Sequence, residues 1–397
     1  MGYLSKAMSM RFMLHRSILT GILCLHGAAI FAQKPASKPT ILRTPAGLTE
    51  VGLVSGAAYR IDIPADWNHS LIVFYHGYSE RPAGFQIAER LNAQLQPFLQ
   101  RHYAIVQSGY SESGWALEQA FPETEQLRKY FLKEYGLPRE TYVAGVSMGG
   151  ALVMVTLEIN PRPYLGGLNL CGAVGPAYEP FQRRFAWRAA FDFYFPGLLP
   201  TLVPSPPNFE ESAALRDKVL TALRANPTAA AELRGLTDLH TDSELARDMV
   251  YFTFVLTDMQ KRAGGNPFDN RNYLYTGTNP TVSTGDYALN DGVHRYPADP
   301  RARDYLIRHY TPSGHLNRPM LALHTLYDPL IPATTLALYA HQVEMAGFGQ
   351  NLVQQYVHRD GHCTFSSEEV GRSFDELVQW THGGPAPTAG LLREDTR

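Results

Sequence analysis

The chain has 397 residues, a formal net charge of -2, 45% hydrophobic content and 18% charged residues. It is long enough to bury a large core, and its length suits one domain carrying an insertion better than two full domains. A charge this balanced leaves no basic stripe for gripping phosphates, which argues against nucleic acid as a partner.

At the start of the chain, Lys6, Arg11 and Arg16 precede an apolar segment at 18–31, and Ala32 gives way to Gln33-Lys34-Pro35. That order of charge, apolar run and small residue predicts a secretory signal peptide over residues 1–32, with export to the periplasm or outside the cell. The apolar segment is short of the ~20 residues that span a bilayer, and no later stretch is long and apolar enough, so no stable membrane span is expected. Residues 33–44, with Pro, Lys and Thr, read as a linker. With Cys24 inside the signal, Cys171 and Cys363 are left as an even pair in an oxidising compartment, able to form a disulfide.

Short apolar runs at 57–63 and 71–75, separated by Asp66-Trp67-Asn68-His69, predict two strands joined by a turn. The period then changes: helical spacing at 85–99, a buried strand at 103–107, a helix at 117–135, a strand at 141–146 and a helix after Ser147 that Asn160-Pro161 ends. A strand at 165–171 follows. Alternation of this kind predicts an α/β fold, a mostly parallel sheet covered by helices. From 176 to 312 the pattern breaks into prolines, aromatics and short helical runs such as 213–223 and 243–259, which predicts a helical insertion, since a loop of that length is improbable in a compact domain. The sheet pattern resumes with a strand at 320–324, a helix at 333–345, a strand at 352–357 and a helix at 367–380. Residues 45–175 and 313–382 thus form the expected core, and 383–397, rich in Gly, Pro and Ala, read as a disordered tail.

One pentapeptide stands where the strand at 141–146 meets its helix: Gly145-Val146-Ser147-Met148-Gly149, a G-x-S-x-G. A serine on a tight strand-to-helix turn, with glycines that let the backbones approach, suits a nucleophile. Its hydroxyl is a poor nucleophile at neutral pH and needs a base, and the base needs a carboxylate to orient it. Asp328 follows the strand at 320–324, within Thr325-Leu326-Tyr327-Asp328-Pro329-Leu330, and His362 follows the strand at 352–357, within Asp360-Gly361-His362-Cys363. Asp360 is a rival carboxylate but lies too close to His362 in sequence. His358 and His362 read weakly as a metal pair, because Arg359-Asp360-Gly361 between them predicts a loop and not a helix that would align them. No metal and no cofactor is expected.

The order serine, acid, histidine, each after a successive strand, resembles the α/β-hydrolase superfamily over about residues 57–380, the insertion apart. The resemblance implies Ser147 as nucleophile, Asp328 as orienting acid and His362 as general base. It implies an oxyanion hole of two backbone N-H groups: Met148, after the nucleophile, and Tyr78, in the loop His76-Gly77-Tyr78 that follows the strand at 71–75. His76 itself reads as structural. The insertion at 176–312 stands where lids sit in this superfamily. Tannases and fungal-type feruloyl esterases are similar in tying the base's cysteine to the catalytic rim, but they use a cysteine just before the nucleophile, where this chain has Val146.

The rim segment Ser108-Gly109-Tyr110 to Trp115 can line a substrate site through Tyr110 and Trp115, or can be a packed turn with a core tryptophan. Phe191-Asp192-Phe193-Tyr194-Phe195-Pro196 can wall an apolar pocket or simply fill the lid core. The expected function is a secreted serine hydrolase of carboxylic esters, its partner a small-molecule ester or peptide substrate. A peptidase using the same three groups, with Glu210, Glu211 or Asp238 holding a substrate amino terminus, is the alternative, and a non-catalytic binding protein on the same fold is a third. Oligomeric state is not legible.

Overall fold

A computed structural model describes residues 38–392 apart from 177, 280 and 282; the expected signal peptide lies outside the described residues. Its centre is a ten-stranded sheet whose strands buried on both faces are continuous apolar runs. In chain order the elements are β1 (Thr40–Thr44), β2 (Gly47–Val54), β3 (Ala57–Pro64), β4 (Leu71–Tyr75), α1 (Gln96–Leu99), β5 (Ala104–Ser108), α2 (Leu117–Tyr135), β6 (Thr141–Val146), α3 (Met148–Ile159) and β7 (Gly166–Leu170). Then come α4 (Tyr178–Tyr194), α5 (Ala213–Ala225), α6 (Pro227–Thr237), α7 (Asp242–Ala263), α8 (Thr284–Gly292) and α9 (Pro300–Tyr310). The chain returns to the sheet with β8 (Met320–Tyr327), α10 (Thr334–Met345), β9 (Leu352–Asp360), α11 (Ser367–Thr381) and β10 (Gly390–Leu391).

The sheet order is β1-β2-β3-β5-β4-β6-β7-β8-β9-β10. Strands β1, β2 and β3 run antiparallel to their neighbours, and from β5 onward every pairing is parallel. Because side chains alternate across a strand, Leu71, Val73 and Tyr75 of β4 enter one core with α2 and α3, while Ile72 and Phe74 enter the opposite core with α1 and α11. The first core continues without a break into the insertion, through Phe185, Phe191, Leu245 and Leu256. The lid helices are therefore not a detachable cap; they share apolar burial with the sheet. Among the described residues no helix is long and apolar enough to cross a membrane.

Three expectations need correction. The linker read over 33–44 contains β1, which pairs with β2 in a hairpin that no strand in the sequence reading anticipated. Its signal is masked by Glu50, a carboxylate on β2 that points inward and accepts hydrogen bonds from the hydroxyls of Tyr59, Tyr130 and Tyr135. The tail read over 383–397 contains β10, which pairs with β9 at Gln355 and Tyr356. The helix read over 85–99 is reduced to one short 3-10 turn, Ala93–Leu95, and α1. There the Arg60 guanidinium takes the Glu89 carbonyl at 2.8 Å, so a tertiary partner claims a main-chain group that a helix would have used. The two strands expected around Asp66-His69 are present and joined by a turn, and in the sheet β5 lies between them.

Candidate active site

Ser147 sits between β6 and α3 with φ 57° and ψ -122°, a left-handed conformation that costs a non-glycine residue and persists only when its surroundings enforce it. The surroundings are backbone. A Cβ on Gly149 would lie 2.1 Å from the Tyr75 carbonyl oxygen, and one on Gly145 would lie 2.3 Å from the Gly149 carbonyl oxygen. The turn is further tied by Ser147 N-H to the Leu170 carbonyl at 2.9 Å and by Ala173 N-H to the Ser147 carbonyl at 3.1 Å. Both glycines of the motif are thus required by close approach, and the serine side chain is pushed out at the carboxyl ends of the strands.

His362 stands on the loop after β9. Gly361, at φ 102°, donates to the Tyr327 carbonyl at 2.8 Å, and the Thr325 hydroxyl donates to the Gly361 carbonyl at 2.8 Å, so β8 holds the loop from below. The ring lies with Nε2 2.8 Å from Ser147 Oγ and Nδ1 2.7 Å from Asp328 Oδ2. An ionised carboxylate only accepts. Nδ1 therefore carries the hydrogen that it donates to Asp328, which turns Nε2 toward the serine hydroxyl. Asp328 is buried, which pushes its carboxyl up. Its bond from His362, the charge of that ring and the Ile331 N-H outweigh the burial and bring it below the ordinary carboxylate range. Its second oxygen, Oδ1, accepts from the Leu330 and Ile331 N-H groups, both at 2.9 Å.

The order of the sheet, the strained serine turn after β6 and the acid and histidine after β8 and β9 together decide the fold. This is the α/β-hydrolase fold. No protein-family model and no curated protein matches the chain. Among solved structures the chain is similar to lipase A of Candida antarctica, at 13% identity over 90% of this chain and 85% of that one, with a TM-score of 0.48. It is also similar to an esterase of Pyrococcus furiosus, at 10% identity over 86% of this chain and 89% of that one, with a TM-score of 0.43. A puromycin hydrolase is similar at 14% identity over 89% of this chain and 41% of that one, with a TM-score of 0.42. Likeness this distant carries nothing about substrate.

Within the α/β-hydrolase fold, Met148 is the first residue of α3. Gly77 passes so close that a Cβ there would lie 3.2 Å from Ser147 Cβ, which brings the Gly77-Tyr78 backbone beside the serine. The Tyr78 ring turns away, edge-on to Tyr251 and Phe254 of α7. His76 is bound to its own loop: Nδ1 lies 2.6 Å from the Gly77 carbonyl and the ring stacks on Tyr110 at 3.9 Å, while burial lowers its pKa.

Cys171, at the end of β7, and Cys363, directly after His362, are joined in a disulfide. The Cys363 sulfur lies 3.4 Å from His362 Nε2. Although Cys171, Cys363 and His362 are clustered closely enough to hold a metal, the sulfurs are bonded to each other and offer no thiolates. Asp360, the rival carboxylate, is exposed.

Tyr110 and Trp115 are not brought to this site. Both are buried; Tyr110 donates to the His76 carbonyl at 3.1 Å, and Trp115 packs edge-on to Phe181 at 4.9 Å, so the rim segment is a packed turn that ties sheet to lid. The aromatic cluster likewise fills the lid: Phe191 is fully buried and stacks with Phe195 at 5.2 Å. A cavity of about 380 Å³ does open on His362; its walls are more apolar than polar, and the charged residues on it are Glu211, Arg216, Glu244, Arg247 and Asp248, beside Tyr251. Of these only Glu211 was legible beforehand. The rest stand on helices of the insertion, where a charged residue looks like any solvated surface position.

Two outcomes are expected from this geometry. Gly149→Ala should cost about 1–3 kcal/mol, the usual range for overpacking, read as a lower urea midpoint with loss of Ser147 reactivity toward a fluorophosphonate. Replacing both cysteines by alanine should lower stability by about 2–4 kcal/mol in urea unfolding, and should reduce kcat more than it raises KM because the loop carrying His362 loses a tether.

Proposed function

We propose that the protein is an exported serine hydrolase that cleaves carboxylic esters. The observation that carries this reading is the line of contacts from Ser147 Oγ to His362 Nε2 at 2.8 Å and from His362 Nδ1 to Asp328 Oδ2 at 2.7 Å, the spacing that general-base catalysis requires. As Ser147 Oγ attacks the ester carbonyl, His362 Nε2 takes the hydroxyl proton, and Asp328 stabilises the imidazolium that forms. The oxyanion is met by the N-H groups of Met148 and Tyr78. The imidazolium then protonates the departing alkoxide, and water repeats the sequence on the acyl-enzyme, releasing the acid and regenerating Ser147. Export agrees with the N-terminal pattern and with the disulfide, since such bonds persist in oxidising compartments.

The cavity beside His362 combines apolar wall with charged side chains, a mixture that suits short acyl groups. A long alkyl chain would reach the carboxylates and guanidinium groups and desolvate them without replacing their hydrogen bonds. A peptidase remains the second reading, because Glu211 lines that cavity and could meet a substrate ammonium. Burial raises the Glu211 carboxyl; the nearby Arg216 opposes this and Glu80 adds to it.

Ser147→Ala should lower kcat by roughly 10⁶-fold and Asp328→Asn by roughly 10⁴-fold, each with the fold intact by circular dichroism; full esterase activity in Ser147→Ala would overturn the assignment. In a panel of p-nitrophenyl esters, acetate and butyrate should exceed octanoate and longer chains in kcat/KM by roughly tenfold, or about 1.4 kcal/mol. Aminoacyl anilides in the same panel decide the second reading: cleavage that falls in Glu211→Gln would favour the peptidase.

A further inference from the structure

Arg184 belongs to the insertion, on α4, yet it grips the loop that carries Asp328. Its Nη2 donates to the carbonyl of Pro329 at 2.9 Å and to that of Leu330 at 3.1 Å. Its Nη1 forms an ion pair with Asp248 of α7 at 2.8 Å, both side chains being buried. The guanidinium lies 4.4 Å from the ring centres of Trp187 and Phe252, which hold its plane.

The two carbonyls are not arbitrary. The Pro329 carbonyl and the Leu330 N-H belong to one peptide unit, and the Leu330 carbonyl and the Ile331 N-H to the next. Those N-H groups are the pair that Asp328 Oδ1 accepts. Each peptide plane is therefore clamped, with its N-H on the carboxylate and its C=O on the guanidinium. A hydrogen bond at one end of a peptide unit polarises the other end and strengthens the bond there, and a rotation of either plane would break bonds on both sides at once. His324, beneath Asp328 on β8, adds a third brace: Nε2 lies 2.8 Å from the Ile331 carbonyl.

We propose that Arg184 is a positioning residue for Asp328, and through it for His362, so that the insertion supplies part of the support of the reacting groups and does not merely cover them. This rests on the reading of Ser147, His362 and Asp328 as those groups. It also explains why an arginine is buried here: only a planar fork can span two carbonyls and a carboxylate together.

Arg184→Met alone would leave Asp248 buried and unpaired and endanger the fold, so the test uses Arg184→Lys and the double variant Arg184→Met/Asp248→Leu, in which the ion pair is replaced by apolar groups. The first readout needs no activity: the downfield proton resonance of His362 Nδ1-H, assigned by its loss in Asp328→Asn. In both folded variants it should shift or broaden away. On p-nitrophenyl acetate, kcat should fall roughly 10- to 100-fold, the scale of a misplacement of about 1 Å, with KM little changed in Arg184→Lys. The acid limb of the rate profile should move to lower pH, because a carboxylate that no longer faces the imidazole stabilises its protonated form less. A folded variant of either kind that retains the parent resonance and the parent acid limb overturns the proposal. If the parent protein shows the resonance but neither cleaves esters nor labels with a fluorophosphonate, the proposed function fails while the resonance still decides the role of Arg184.

Discussion

Everything at this site depends on the left-handed turn at Ser147, and that turn exists because two backbones meet where no side chain fits. The Tyr75 carbonyl occupies the place of a Gly149 Cβ, and the Gly149 carbonyl occupies that of a Gly145 Cβ. With β4, β6 and α3 in such contact, the chain cannot relax into an ordinary helix start, and the serine is held at φ 57°. The conformational penalty is offset by the burial of strands on both faces of the sheet, so a stable core maintains a locally unfavourable backbone. The same contact brings Gly77 against the serine.

A fixed serine is useful only if its partners are equally fixed, and they arrive from loops that the sheet alone would leave free. The histidine loop is tied three ways: to β8 through Thr325 and Tyr327, to β7 through the Cys171–Cys363 disulfide, and to Asp328 through the ring itself. The acid loop is tied through its own peptide units to Asp328 and from the lid to Arg184. Short connections and cross-links thus replace regular secondary structure at the rim. The lid takes part because its apolar core is continuous with that of the sheet.

The sheet was legible because burial on both faces leaves runs such as Leu71–Tyr75 and Thr141–Val146 with little polarity, and because a helix periodicity follows each of them. Ser147, Asp328 and His362 were legible for a related reason: each follows a strand end, so its place in space follows from its place in the chain. What sequence hid was chosen by tertiary contact. Glu50 breaks the apolar pattern of β2 yet is buried under three tyrosine hydroxyls, and Arg60 removes a helix by taking the Glu89 carbonyl. Tyr110 and Trp115 follow a strand end too, but their rings are buried, Tyr110 on His76 and Trp115 on Phe181. Arg184 and Asp248 lie on two different helices, and nothing local to either shows that they pair.

The buried carboxylate explains how such a site stays poised. Taken alone, burial would favour the protonated form of Asp328, which could no longer accept the Nδ1-H that orients His362. Two main-chain N-H groups on Oδ1 and the imidazole on Oδ2 keep it ionised. Those N-H groups are strong donors because their carbonyls are bound in turn by Arg184, so the charge on Asp328 is balanced through two peptide units by a cation that never touches the imidazole. Direct pairing of Asp328 with a guanidinium would have competed with His362 for the same oxygens. Placing the positive charge one peptide unit away steadies the carboxylate and leaves Oδ2 to the histidine.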